Sequence, residues 1–89
     1  MTELDILKLK NIFSALDNEK RIKIVGLCSS KEYTITELSK LLRLNYSITV
    51  EYTGMLEKAN LVKKTRNEDR TVKVKSLIRL NNNGEIKRA

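Results

Sequence analysis

The chain has 89 residues, 40% apolar and 33% charged, which describes one folded domain with a modest core rather than a disordered chain. Eighteen Lys/Arg against eleven Asp/Glu give a net charge of +7; histidine is absent and Cys28 is the one cysteine, which excludes an internal disulfide, the usual zinc and copper sites and any Ser-His or Cys-His dyad. No apolar run approaches the roughly 20 residues that span a bilayer, and the charged opening "MTELDILKLK" lacks a signal-peptide layout, so the expected location is the cytoplasm.

Residues 3–16, "ELDILKLKNIFSAL", read as a helix. Leu4, Ile6, Leu7, Leu9, Ile12, Phe13 and Leu16 give it an apolar face wider than one side of a small domain needs. Two readings stay open, a helix buried in its own core and a helix shared with a second subunit. "DNEKRIKIVGLCSS" reads as the next helix, capped by Asp17 or Asn18, with Glu19 in its first turn. Ile22, Val25 and Cys28 recur along it at three-residue spacing, Gly26 suits a close helix contact, and the end falls near Ser29. Cys28, in an apolar stretch, reads as a small buried hydrophobe, with a redox or intermolecular role as the alternative.

"EYTI" reads as a short extended piece. The helix after it has Thr36 as N-cap, Glu37 in the first turn, and Leu38, Leu41 and Leu42 facing inward; it breaks near Asn45, another capping residue. The next segment is ambiguous. Tyr46, Ile48, Val50 and Tyr52 alternate as in a strand, whereas Ile48, Tyr52, Met55 and Ala59 form a stripe at helical spacing. Fifteen residues from Asn45 to Ala59, broken only by Gly54, are long for a strand. The β preference of "SITV" costs only tenths of a kcal/mol per residue in a helix. A strand would also leave the "TELSKLL" helix without a partner. The segment is therefore predicted to be a helix completing a helix-turn-helix, with Ile48, Tyr52, Met55 and Ala59 inward. Gly54 either allows a close backbone approach or is a tolerated defect.

"LVKKTR" and residues 71–80 read as two strands joined by the polar turn "NEDR". In the second, Val72, Val74, Ser76, Ile78 and Leu80 alternate with Thr71, Lys73, Lys75, Leu77 and Arg79. Charge is lopsided. Residues 1–57 hold eight Lys/Arg and eight Asp/Glu, and residues 58–89 hold ten against three, so the last third accounts for the whole excess. A one-ended basic field suits a polyanion, although a solvated face carries similar charge. "NNNG" reads as a further turn or helix start.

"SALDNEKRIKIVGLC", "TITELSKLLRLNYSITVEYTGMLEKANLV" and the basic hairpin together resemble the ArsR-type winged helix-turn-helix regulators and their archaeal or archaeal-virus relatives, over roughly residues 12–80. "LDNEKRIKIV" is similar to the family's Leu-x-x-x-x-Arg-x-x-Ile helix. "MLEKANLV" is similar to its "LEEAGLV" ending, with Asn60 in place of glycine; Asn also tolerates the left-handed conformation of a helix end. Two departures stand out. The family's metal sensors cluster Cys and His, which this chain lacks, so no metal and no cofactor are expected. The family usually has apolar residues where Thr49 and Thr53 fall, so either these threonines are buried in place of valine or the helix is rotated to the stripe above.

The resemblance implies a mainly α fold with a small β-hairpin: one winged-helix domain over 1–89, with three to four helices and a two- to three-stranded wing. Residues 1–16 would form a dimerisation helix, 34–60 the helix-turn-helix, 61–80 the wing and 81–89 a tail. It further implies a homodimeric, sequence-specific double-stranded DNA-binding transcriptional regulator, a repressor by preference, with the helix from Asn45 in the major groove. Expected base or nearby contacts come from Asn45, Tyr46, Ser47, Thr49, Val50 and Thr53. Thr36 and Arg43 would take phosphates, and Lys64, Arg66, Arg70 and Lys73 of the wing would reach backbone or minor groove. The dimer contact would use Leu4, Leu7, Leu9, Ile12 and Phe13. Competing readings are a sequence-neutral nucleic-acid-coating protein and a winged-helix protein-interaction module. An enzyme is not expected, because no phosphate loop or catalytic carboxylate pair stands out.

Overall fold

The computed structural model describes residues 3–80 and 86–88. In chain order they form α1 (Glu3–Leu16), α2 (Glu19–Ser30), β1 (Tyr33–Thr34), α3 (Ile35–Leu42), α4 (Tyr46–Lys58), β2 (Val62–Arg66), β3 (Val72–Ser76), β4 (Ile78–Leu80) and β5 (Ile86–Arg88). β1, β3 and β2 make an antiparallel sheet in that order, and β4 pairs with β5. The "NNNG" turn and the side chain of Leu4 lie outside the described residues.

Local chemistry sets the helix ends. Asn18 caps α2, its side-chain oxygen accepting from the backbone N–H of Lys20 (2.9 Å) and Arg21 (3.2 Å). α3 starts from Thr34 rather than the expected Thr36. The Thr34 hydroxyl accepts from Glu37 N, and the Glu37 carboxylate accepts from Thr34 N, a reciprocal capping box that Thr36 has no acidic partner to make. These bonds hold the Glu37 carboxyl below its usual range. Asn45 caps α4 through a 2.7 Å bond from Ile48 N. At the far end Asn60 adopts φ 60°, so it does take the left-handed geometry anticipated for it.

The segment 46–58 is a helix, but its buried stripe is Thr49, Thr53 and Leu56 rather than Ile48, Tyr52 and Met55, which are half-buried. Thr49 and Thr53 are 0% exposed. Each satisfies its hydroxyl locally: Thr49 donates to Asn45 O and Thr53 to Thr49 O, both at 2.9 Å. A buried threonine then behaves as a valine with its polar atom already paired. Ranking side chains by polarity rotated the helix by about one residue position.

The core gathers Ile24, Val25, Cys28, Ile35, Leu38, Leu56, Val62 and Val74. Leu41, expected inward, is 58% exposed on α3, because Leu38 and Leu42 fill the inner face; Ile22 is likewise exposed, its place in the core taken by Ile24 and Val25. The predicted strand 71–80 divides after Ser76. The Ser76 hydroxyl bonds to the backbone of Ile78, and β4 leaves the sheet to pair with β5.

Arg21 is buried where α1 meets α2. Its Nε donates to Ala15 O at 2.6 Å and a terminal nitrogen to Ser14 O at 3.2 Å, supplying donors to the last carbonyls of α1. The guanidinium also sits 5.1 Å from the Tyr52 ring centroid, tying α4 to the same point.

Candidate nucleic-acid interface

The sheet register sorts the wing's cations onto two faces. Lys63 pairs with Lys75 and Thr65 with Lys73, all exposed and pointing away from the core. Val62, Lys64 and Arg66, with Val72, Val74 and Ser76, fall on the inner face. Of the four wing residues expected at a site, Lys64 and Arg66 therefore face α4, Lys73 lies on the opposite side, and Arg70 is exposed in the turn.

Between α4 and the wing lies a cleft lined by Ile35, Tyr46, Val50, Lys64, Arg66 and Val72. Tyr46 is 52% and Val50 39% exposed. Lys64 is committed within this cleft: its Nζ donates to Val50 O at 3.2 Å, and its backbone N–H donates to the Glu57 carboxylate at 3.3 Å. Desolvation against α4 lowers the Lys64 ammonium pKa, with Glu57 acting in the opposite sense. Lys64 thus bridges wing and helix, and Arg66 is the more exposed cation of the cleft. A methyl group at Gly54 would lie 3.8 Å from the Lys64 ammonium, an ordinary contact, so close approach does not demand glycine there.

On α4, Tyr46, Ser47, Val50, Glu51 and Glu57 are exposed, whereas Thr49 and Thr53 are withdrawn from the expected contact set by burial. Asn45 is exposed but uses its side-chain oxygen as the cap. Thr36 is exposed in the first turn of α3. Arg43 ends α3 at φ 55°, and Arg70 closes the wing turn at φ 70°. A side chain with a Cβ pays roughly 1–2 kcal/mol for that left-handed geometry. The wing turn is braced by Asn67 N donating to Thr71 O at 2.8 Å and by the Thr71 hydroxyl and N–H donating to Asp69. Those bonds hold the Asp69 carboxyl below its usual range.

Elsewhere on the surface α1 exposes Ile6, Leu7 and Phe13, the last at 68%. Ile6, Leu9, Phe13 and Leu16 border an apolar groove there. Ile12, expected in the same contact, instead packs on the chain's own core. Among the described residues no three His, Cys, Asp or Glu gather as a metal site, and no helix is long and apolar enough to cross a membrane.

This is a winged helix-turn-helix: α3 and α4 are the two helices of the motif, and β2–β3 is the wing. Solved structures agree. HlyU from Vibrio cholerae N16961 is 28% identical, with a TM-score of 0.73 over 84% of this chain and 80% of its own. The transcriptional regulator HlyU from Vibrio vulnificus CMCP6 is 27% identical, with a TM-score of 0.67 over 83% and 76%. The homodimeric winged helix-turn-helix DNA-binding domain of Mb0332 from Mycobacterium bovis, a possible ArsR-family transcriptional regulator, is 16% identical and shares the fold at a TM-score of 0.75 over 85% and 72%. No family profile and no curated protein matches the chain.

Proposed function

We propose that this chain is a homodimeric, sequence-specific double-stranded DNA-binding transcriptional regulator that acts as a repressor by occupying its operator. The observation that carries the reading is the juxtaposition of the exposed N-terminal half of α4 with Arg66 of the wing, across one cleft. A major groove admits one helix, and residues near the helix N-terminus reach base edges. Tyr46, Ser47 and Val50 enter the groove. Arg66 and Arg70 take backbone or minor-groove phosphates, and Arg43 and Thr36 take phosphates beside the turn. That arginine stands at two left-handed positions supports a role for its side chain, since asparagine or glycine fits such backbone at lower cost.

The dimer is proposed to form through the apolar face of α1, with Leu7, Leu9 and Phe13 as expected and Ile6 beside them. A homodimer is the state named for the Mb0332 domain. Two α4 helices would then meet half-sites about 34 Å apart. Selection from a randomised duplex pool at two salt concentrations tests the reading. An enriched inverted repeat, bound with an affinity that falls steeply with salt, is expected. Equal affinity for unrelated duplexes would replace it with a coating protein, and no binding at low salt would leave a protein-docking module.

A further inference from the structure

α4 is unusual as a reader of bases because of what its outward face offers. Its one cation is Lys58, in the last turn, away from the N-terminal half that enters a groove. Lys64, the nearest cation of the wing, has its ammonium bound to Val50 O. Asn45 has its side-chain oxygen occupied by Ile48 N, so it does not present the free amide edge that pairs with adenine. What remains outward along the first two turns is Tyr46, Ser47, Val50 and Glu51. Glu51 is exposed, and it is not a member of the Lys23–Glu19 ion pair on α2.

The commonest specific contact in the major groove, arginine or lysine against guanine O6 and N7, is therefore unavailable to α4. Its exposed groups fit another set of edges. Val50 and the Tyr46 ring supply apolar surface for a thymine C5-methyl. Glu51 is acceptor-only when ionised, and it suits the amino group of cytosine N4. Facing a guanine edge or a phosphate, the same carboxylate would be repelled.

Resting on the DNA-binding reading above, we infer that α4 reads the pyrimidine edges of its half-site, thymine methyls through Val50 and Tyr46 and a cytosine amino group through Glu51, and makes no arginine or lysine contact with guanine O6 and N7.

The first test uses the wild-type chain and modified DNA; two variants at exposed positions follow it. The duplex enriched by selection is remade with deoxyuridine for single thymidines, or with 7-deazaguanine for single guanines. Removing a read methyl is expected to weaken binding about fourfold, the equivalent of one buried CH2 group, while 7-deazaguanine leaves affinity unchanged. Val50→Ala is then expected to shrink the penalty for deoxyuridine at the thymine that Val50 reads while leaving the penalty at a thymine read by Tyr46, and Glu51→Gln to lose its preference at one C·G pair. Affinity that is indifferent to deoxyuridine but collapses with 7-deazaguanine would overturn the inference while leaving the DNA-binding reading intact. Absence of binding to every duplex at low salt would overturn both.

Discussion

The hydroxyl of Ser39 on α3 lies 3.0 Å from that of Thr49 on α4, inside the core that joins the two helices of the motif. Thr49 accepts from Ser39 and donates to Asn45 O, so its hydroxyl is consumed internally. Thr49→Val keeps the shape and removes both of these bonds, while Ser39 keeps Ile35 O as a partner and Asn45 O keeps the Thr49 backbone N–H. A loss of about 1 kcal/mol in urea unfolding is expected, with DNA affinity unchanged. A large affinity loss at unchanged stability would put Thr49 back among the base contacts.

Arg21 predicts a larger effect. Arg21→Met removes the guanidinium donors from Ala15 O and Ser14 O, the latter keeping the Asp17 N–H at 3.3 Å, and removes the contact with the Tyr52 ring. A cost of about 2–3 kcal/mol follows from losing charged hydrogen bonds at a buried site. Arg21→Lys recovers only part of it, because an ammonium cannot reproduce the guanidinium fork. Equal stability of wild type and Arg21→Met in urea would refute this role.

Gly54 lies inside α4, with room for a methyl group. Gly54→Ala is expected to raise stability by about 0.5–1 kcal/mol, through the smaller backbone entropy lost on folding. A fall in Tm would mean that the wing needs the space.

Cys28 carries a pH prediction. Burial pushes its thiol from 9.0 up to about 12. Between those values the folded state keeps a proton that the unfolded chain has released. Stability from this group is therefore complete below pH 9 and is lost as pH rises toward 12. Cys28→Ala should flatten that part of the stability profile. The native thiol should also resist a disulfide reagent at neutral pH and react once the chain unfolds. Rapid native labelling would contradict the burial argument.

Much of this architecture is legible in the sequence, because strong local signals agree with the packing. Asn18 and Asn45 announce helix starts, Asn60 a helix end, and "NEDR" the wing turn. The helix over 46–58 is recoverable despite its β-branched residues, because tertiary packing outweighs tenths of a kcal/mol of propensity. Its rotation is not, since Thr49 and Thr53 look polar until their i−4 carbonyl bonds are seen. Lys64 shares the α4-facing side of the wing with Arg66, as strand alternation allows, but that its ammonium reaches Val50 O depends on how wing and helix pack. The role of Arg21 had one signal available, a lone arginine among the apolar positions of α2 at the resembling motif. Its target, the end of α1, depends on how two helices cross.

Backbone amide shifts of the isotopically labelled full chain, followed as the selected duplex is added, test the central claim most directly. The account predicts perturbation concentrated at Tyr46, Ser47, Val50, Glu51 and Arg66, with Lys63 and Lys75 on the outer wing face little changed. Shifts centred on that outer face, with α4 undisturbed, would contradict it.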